Sequence, residues 1–324
     1  MSLKIKNFSK KYNDAWILKD VSLEIRSCEI LGLFGASGSG KSVLIRLISG
    51  LETANNGQIF MLDDDITNDP CEDRGFSFPS LSNEAFWKKV FADGKSSELA
   101  EGEGQMLALD FALQEVNGVL LLDNSFCQMD RRERTIAYEK LIKATKERNL
   151  VVLFATNDYE EIFTVCDRVA ILHEGEVQQV GTPEEVYLEP HSKAVAENFG
   201  DNNVFPARRL NPDSNETPEF KTLDGEHHLL TGKIPKDKVE TIGQEVNLSI
   251  RPEHISISFG ASFPEDNLIK AKIVGIRFKG ATTKIYLDAN GLLLKTLVLR
   301  LVGLNIGDEC MVGLPPDRIQ VFEG

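Results

Sequence analysis

The chain has few cysteines, no long apolar run and no excess of positive charge. Its five cysteines are scattered over 324 residues, odd in number and without metal-ligand spacing, which indicates reduced thiols in a cytosolic protein. No apolar run approaches the roughly 20 residues that a membrane-spanning helix needs. A net charge of −14 argues against a nucleic-acid partner, which would favour a basic face. The segment Met1–Lys6 already alternates like a strand, so we expect no secretory signal there.

The order of predicted elements changes near residue 200. Before it, strands alternate with helices, which predicts a largely parallel sheet with helices on both faces. Beyond it, nearly every segment has a strand pattern, which predicts a small all-β barrel. A chain of this length can form two cores, so we predict domains at residues 1–200 and 201–324. Helices of the first domain are predicted at Lys41–Leu51, Gln105–Val116, Arg131–Arg148 and Asp158–Cys166, the last with Asp158 as its N-cap.

One octapeptide indicates what the chain binds. It fits the pattern G-x-x-x-x-G-K-[ST] and lies between a strand pattern and a helix pattern. We call it the phosphate loop: Gly35, Ala36, Ser37, Gly38, Ser39, Gly40, Lys41 and Ser42. Its glycines let backbone N–H groups surround a polyphosphate, its lysine meets the β- and γ-phosphates, and its last serine can ligate Mg²⁺. The alternative is a Gly/Ser loop with a chance lysine, and the flanking strand and helix favour the phosphate loop.

These pieces together resemble the nucleotide-binding subunit of an ABC transporter, of the bacterial importer type with a C-terminal TOBE (OB-like) domain. The resemblance implies that Tyr12 stacks on the adenine of ATP and that Asp123, after Leu120–Leu122, is the Walker B aspartate holding Mg²⁺ beside Ser42. The alternatives are an ordinary edge aromatic and a turn residue that ends a strand. The segment Arg251–Ile255 matches the short motif typical of the TOBE domain.

Several positions depart from the family pattern. Asn124 stands where the family has its catalytic glutamate, and an amide cannot take a proton from water. Asn157 stands in place of the switch histidine, and Pro79 in place of the Q-loop glutamine. We therefore predict that no catalytic position is intact.

The helical subdomain that docks on the permease is reduced to about residues 79–104, with one short helix predicted at Glu84–Phe91. The family's signature motif aligns with Leu99, Ala100, Glu101, Gly102 and Glu103. Ala100 lacks the hydroxyl of the signature serine, and the glutamates bring negative charge towards a partner's γ-phosphate. Asp130 is what survives of the D-loop. Decay of an unused gene is the alternative to a selected loss of activity.

The resemblance implies an ATP-binding subunit of an importer complex, most like ferric-iron, polyamine or sugar importers, with ATP and Mg²⁺ as cofactors. We expect weak or no hydrolysis. The alternatives are a working ATPase with a rearranged site and a nucleotide-sensing regulator outside transport. Expected partners are transmembrane permease subunits, through indirect or weak contact, and a second copy or a competent homologue in a dimer. The expected location is the cytoplasm, peripheral to the inner face of the membrane.

Overall fold

The structure is a computed structural model that describes residues 2–79, 101–210, 218–232, 241–258, 267–299 and 303–323. It divides into two compact units, Met1–Glu189 and Pro190–Gly324. This division lies before residue 200, the boundary expected from the sequence. The domain limits 1–200 and 201–324 stay predictions. Among the described residues, no helix is both long enough and apolar enough to cross a membrane.

The first unit alternates strands and helices after an initial hairpin. Its elements in chain order are β1 (Ser2–Tyr12), β2 (Ala15–Arg26), β3 (Glu29–Phe34), α1 (Lys41–Ser49), β4 (Asn56–Met61), β5 (Asp64–Asp65), α2 (Cys71–Arg74), α3 (Glu101–Glu115), β6 (Val119–Asp123), α4 (Arg131–Glu147), β7 (Val151–Thr156), α5 (Tyr159–Val165), β8 (Arg168–His173), β9 (Glu176–Gly181) and α6 (Pro183–Leu188).

A five-stranded sheet carries the phosphate loop. Its order is β6-β7-β3-β8-β9, with β6, β7, β3 and β8 parallel and β9 antiparallel at one edge. Every residue of β3 and β7 is buried, which explains why these strands are apolar at every position except Glu29 and Thr156. The parallel α/β sheet predicted from the sequence is confirmed here.

A second, antiparallel sheet was not predicted from the sequence. Strands β2, β1, β4 and β5 form a separate antiparallel sheet in that order. The hairpin β1–β2 turns at Asn13 and Asp14, whose φ angles of 46° and 66° lie in the left-handed region that two-residue hairpin turns require. Adjacent strands joined by so short a turn pair with each other, whereas parallel neighbours need a long crossover.

The helix ends follow local capping. Helix α1 ends at Ser49, before the predicted Leu51, because Gly50 adopts a left-handed φ of 80°. Helix α3 is described from Glu101, before the predicted start at Gln105. Asp158 caps α5 by accepting from the Glu160 N–H, as predicted. The helix predicted at Glu84–Phe91 lies outside the described residues.

The second unit is built almost entirely of antiparallel strands, which confirms the predicted all-β domain. A short helix and ten strands are described: α7 (Lys193–Asn198), β10 (Asn203–Arg209), β11 (Glu219–Thr222), β12 (His228–Leu230), β13 (Glu245–Ile250), β14 (Ser256–Ser258), β15 (Asn267–Phe278), β16 (Thr283–Ala289), β17 (Leu292–Val298), β18 (Glu309–Leu314) and β19 (Gln320–Glu323). They form two five-stranded sheets, β12-β11-β10-β13-β19 and β14-β18-β15-β16-β17. Side chains of both sheets, such as Leu248 and Ile285, share one core.

Glu219 begins β11, and residues 211–217, which lie between β10 and β11 in the sequence, are outside the described residues. Arg251, at the start of the TOBE-like motif, is buried and donates from Nη1 to the carbonyls of Phe199 and Asp201, both at 3.0 Å. The first residue of the motif therefore fixes the backbone of the segment that leads into β10.

Candidate nucleotide-binding site

The phosphate loop connects the buried strand β3 to the start of α1, and its backbone requires glycine. Gly38 and Gly40 have φ angles of 83° and 105°. A Cβ atom on Gly35 would lie 2.3 Å from the Leu172 carbonyl oxygen, and one on Gly40 would lie 2.8 Å from Leu18 Cδ2. Gly40 is also the N-cap of α1 and offers no side-chain acceptor, so the first N–H groups of the helix face the loop. The conformation is that of an anion-binding loop.

The Lys41 side chain folds back across this loop. It is 6% exposed, and its Nζ donates to the carbonyls of Gly35 at 2.5 Å and Ala36 at 2.9 Å. Burial lowers the pKa of Lys41, and the negative charge of Asp123 opposes that shift. The ammonium thus sits among neutral carbonyl dipoles at the mouth of the loop, where phosphate oxygens would be stronger partners.

The structure brings Ser42 and Asp123 together, as predicted for a Mg²⁺ site. Asp123 ends β6, and the Ser42 hydroxyl donates to its carboxylate. Burial raises the pKa of Asp123, while the hydrogen bond from Ser42 and the charge of Lys41 oppose that rise. Within the described ranges, no group of three or more His, Cys, Asp or Glu side chains could hold a metal by itself. A hydroxyl and one carboxylate fit Mg²⁺, which usually keeps waters and substrate phosphates as its other ligands.

Asn124 faces the Asp123 carboxylate rather than the loop mouth. Its Nδ2 donates to Asp123 Oδ1 at 3.2 Å, and its N–H donates to the Ala155 carbonyl at 2.9 Å. Its φ of 46° is in the left-handed region, which asparagine tolerates better than most residues. The amide therefore supports the aspartate, and no carboxylate stands at this position to accept a proton from water.

Pro79 follows a segment that pairs with the edge strand β6. The preceding segment extends the sheet edge, because Ser77 pairs with β6 through its N–H to the Val119 carbonyl at 3.0 Å and accepts from the Leu121 N–H at 2.9 Å. Buried Pro79 and Asp123 line one small pocket together with Gln105. A proline contributes neither an amide side chain nor an N–H to this pocket.

Asn157 follows the last residue of β7 and is exposed. Because β3, β6 and β7 are parallel neighbours, Asn157, Asp123 and the phosphate loop all emerge at the carboxyl ends of adjacent strands. The Thr156 hydroxyl donates to Glu161, at 2.5 Å, and accepts from the Asp158 N–H, which fixes the backbone on both sides of Asn157.

The signature positions are described only in part. Leu99 and Ala100 lie outside the described residues, and Glu101 begins α3. Gly102 is buried, and a Cβ there would lie 2.5 Å from Glu133 Oε2 and 3.2 Å from the Gln128 carbonyl oxygen. Glu103 is exposed. The surviving glycine therefore has a packing role within this chain, and the role of the other signature residues towards a partner stays a prediction.

Glu133 belongs to a capping box at the start of α4. Its carboxylate accepts from the Asp130 N–H at 2.9 Å, and Asp130 Oδ1 accepts from the Glu133 N–H at 2.8 Å. Asp130, the residue predicted to remain from the D-loop, thus begins the helix that packs against Gly102.

Tyr12 lies at the end of β1, 39% exposed, on the antiparallel sheet. Its Oη donates to Glu52, and Lys10 Nζ is 5.3 Å from its ring centroid. No sequence motif marks Glu52, because a lone glutamate after a helix carries none. Gln105 was predicted only as the start of a helix; it is 4% exposed and accepts from the Gln128 N–H at 3.0 Å beside the capping box.

Comparisons with known proteins agree with this geometry. A phosphate loop after one strand of a parallel sheet, with a carboxylate at the end of another parallel strand two places along the same sheet, defines a P-loop nucleotide-binding protein, here followed by a β domain. Residues 18–84 match the family described as ABC transporter, and residues 248–322 match the TOBE domain. The first match includes the phosphate loop and ends before Asp123.

Curated relatives match along most of their length. The sulfate/thiosulfate import ATP-binding protein CysA of Halalkalibacterium halodurans is 32% identical over 296 residues, covering 80% of each chain. The spermidine/putrescine import ATP-binding protein PotA of Fusobacterium nucleatum is 31% identical over 290 residues, covering 79% of this chain and 76% of that protein. A solved nucleotide-free ATP-binding cassette from an ABC transporter shares the fold, with a TM-score of 0.53 at 18% identity over 62% of this chain and 100% of that one. The chain belongs to the family of ABC importer ATP-binding proteins that carry a C-terminal TOBE domain.

Proposed function

We propose that this chain is the ATP-binding subunit of an ABC-type importer complex, and that it binds ATP–Mg²⁺ while hydrolysing it weakly or not at all. The observation that carries the proposal is the contrast around Asp123. Ser42 and Lys41 interact with the Asp123 carboxylate, whereas Asn124 and Pro79, which also lie next to Asp123, offer no proton acceptor.

The binding roles follow from the contacts. The loop N–H groups and the start of α1 would hold phosphate oxygens, and Lys41 would exchange its carbonyl partners for the β- and γ-phosphates. Ser42 and Asp123 would hold Mg²⁺, which neutralises phosphate charge when bound. Tyr12 would stack on the adenine with its exposed ring.

Weak hydrolysis is proposed from three substituted positions. Asn124 cannot act as a general base, Asn157 cannot supply the charge of a protonated histidine, and Pro79 cannot place an amide near Asp123. Losing a general base typically slows a reaction by about 10²–10⁴-fold. A second chain closing over the nucleotide would also present Glu101 and Glu103 to the phosphates, which opposes closure.

Calorimetry on the purified full chain tests ATP binding. We expect wild type to bind ATP with Mg²⁺ and Lys41→Ala to lose at least about tenfold in affinity, because the lysine is the cation nearest the loop. Lys143→Ala is the matched control, since Lys143 forms an exposed pair with Glu147 on α4. Folded wild type that fails to bind ATP, or equal binding by Lys41→Ala, would contradict the proposal.

Steady-state phosphate release tests the second half. We expect very slow turnover, and Asn124→Glu alone should not restore brisk activity because the signature positions still oppose closure. Rapid hydrolysis by wild type that disappears in Lys41→Ala would instead support a working ATPase with a rearranged site.

The partners are proposed from the family. The relatives' names include import of sulfate, thiosulfate, spermidine or putrescine, so we propose contact with a membrane-embedded permease at the cytoplasmic face without choosing a substrate. Because the region 79–104 is short, we propose that docking requires a competent homologue in a mixed dimer or contacts through residues 201–324. ATP-driven uptake by a permease reconstituted with this chain alone would contradict that, and capture from native membranes without any permease would favour a regulator.

A further inference from the structure

The carboxylate of Glu52 gathers three side chains near the phosphate loop. Tyr12 donates its hydroxyl to Oε1, Lys10 Nζ lies 3.1 Å from the same oxygen, and Arg46 Nη2 lies 3.4 Å from Oε2. The side chains of Glu52 and Lys10 are only 15% and 12% exposed. One carboxylate therefore contacts two cationic side chains and one phenol in a compact cluster.

The cluster joins two parts of the first unit. Arg46 lies on α1, about one helical turn after Ser42. Lys10 and Tyr12 lie at the end of β1. The segment after α1 is tied to the same strand end, because Lys10 Nζ donates to the Thr53 carbonyl at 2.7 Å. Glu52 therefore connects the helix that begins at the phosphate loop with the strand end that carries the aromatic ring.

The groups around Glu52 keep its carboxylate charged at neutral pH. Partial burial raises the pKa of Glu52, but hydrogen bonds from Tyr12 and Lys10 and the charges of Lys10 and Arg46 outweigh burial and lower it overall. Burial and the hydrogen bond to Glu52 raise the pKa of Tyr12, so its hydroxyl stays a donor. The phenol is held at its polar end while the ring remains 39% exposed.

We propose that Glu52 is a positioning residue that fixes the Tyr12 ring for stacking on the base of a bound nucleotide. This inference rests on the proposed function, because it assigns Tyr12 to the base end of the site. A ring that is oriented before the ligand arrives loses less rotamer freedom on binding, and affinity gains accordingly. Among the described contacts, Glu52 makes no hydrogen bond or ion pair with a phosphate-loop residue, so its effect should be confined to ligands that carry a base.

The test compares ATP with inorganic tripolyphosphate, each with Mg²⁺, by calorimetry on the full chain. We expect Glu52→Ala and Tyr12→Phe each to weaken ATP binding about three- to tenfold, because the ring loses the contact that orients it before the ligand arrives. Tripolyphosphate binding should not change. The double variant should be no weaker than Glu52→Ala, since both changes remove the same contact. Glu52→Gln keeps an acceptor for Tyr12 and should recover part of the loss.

The matched control is Glu176→Ala, because Glu176 forms an exposed pair with Lys19 at 3.2 Å on the same unit. Its ATP and tripolyphosphate affinities should equal those of wild type. Unchanged ATP binding by Glu52→Ala would overturn the inference, as would an equal loss for ATP and tripolyphosphate, which would place the effect on the phosphate loop. Absence of ATP binding by folded wild type is a separate result and refutes the proposed function itself.

Discussion

Arg74 is predicted to be a main support of the helix that carries the phosphate loop. Its guanidinium donates to four carbonyls: Leu47 at 3.0 Å, Ile48 at 2.6 Å, Thr67 at 2.8 Å and Asp69 at 2.9 Å. Two of these carbonyls belong to the last turn of α1, where backbone acceptors lack partners within the helix. The perturbation is Arg74→Ala, compared with Arg74→Lys.

The expected loss in free energy of unfolding follows from these contacts. A hydrogen bond to a charged group contributes about 1.5–3 kcal/mol, and a favourable cation at a helix C-terminus about 0.3–1 kcal/mol. Arg74 is about half-buried, so water can reach part of the vacated space, and we discount each bond to roughly 1 kcal/mol. Four such bonds together with the helix-terminus contribution give an expected cost of about 4–5 kcal/mol for Arg74→Ala. Arg74→Lys keeps the charge but not the planar fork and should cost about 2 kcal/mol.

Urea unfolding followed by tryptophan fluorescence measures this effect. Both tryptophans, Trp16 and Trp87, belong to the sequence of the first unit, so the signal follows that unit. Arg132→Ala is the control, because Arg132 is exposed on α4 and its loss should change the free energy of unfolding by less than about 0.5 kcal/mol. A cost below about 0.5 kcal/mol for Arg74→Ala, or no difference between Arg74→Lys and wild type, would refute the reasoning.

Two further predictions concern α3 and α5. Burial raises the pKa of Glu161 above its ordinary 4.5, and hydrogen bonds from Thr156 and Tyr138 oppose this only in part. The contribution of Glu161 to stability is therefore largest below pH 4.5 and is lost as pH rises through the raised pKa. Unfolding of wild type and Glu161→Gln at several pH values should show that the variant gains stability relative to wild type towards neutral pH. A constant difference between the two proteins would contradict this. Gly102→Ala should lower the free energy of unfolding by about 1 kcal/mol, because its Cβ displaces the Glu133 carboxylate from the capping box. Urea titration should find a smaller cost when the same change is made in a Glu133→Ala background. Equal costs in the two backgrounds would show that the capping box is not involved.

The parts of this molecule that sequence patterns predict are those with local causes. The phosphate loop needs glycine wherever φ is positive or a Cβ would collide, so its residues appear as a motif. The buried runs of β6 and β7 and the N-cap of α5 by Asp158 likewise follow from neighbouring residues. The four helices predicted in the first domain were placed to within a few residues of their observed ends.

The parts that were missed depend on residues far apart in sequence. Nothing near Leu3–Phe8 indicates that β1 pairs with β4 in a sheet of its own, since that pairing is decided by packing. The contact of Gly102 with Glu133 and the carbonyl bonds of Arg74 are equally non-local. The catalytic and signature assignments came from resemblance and stay predictions, although Asn124, Asn157 and Pro79 do lie at the strand ends around Asp123 or beside it.

The position of β3 in its sheet has a consequence for biosynthesis. Its two neighbours, β7 and β8, are encoded at residues 151–173, far behind residues 29–34. Closing so long a loop costs roughly 4 kcal/mol in chain entropy. At about 5–20 residues per second, the ribosome needs on the order of ten seconds to supply these strands. During that interval β3, apolar at every position after Glu29, has not yet met its partner strands and is a target for chaperones. A ligand of the phosphate loop can stabilise only the finished unit.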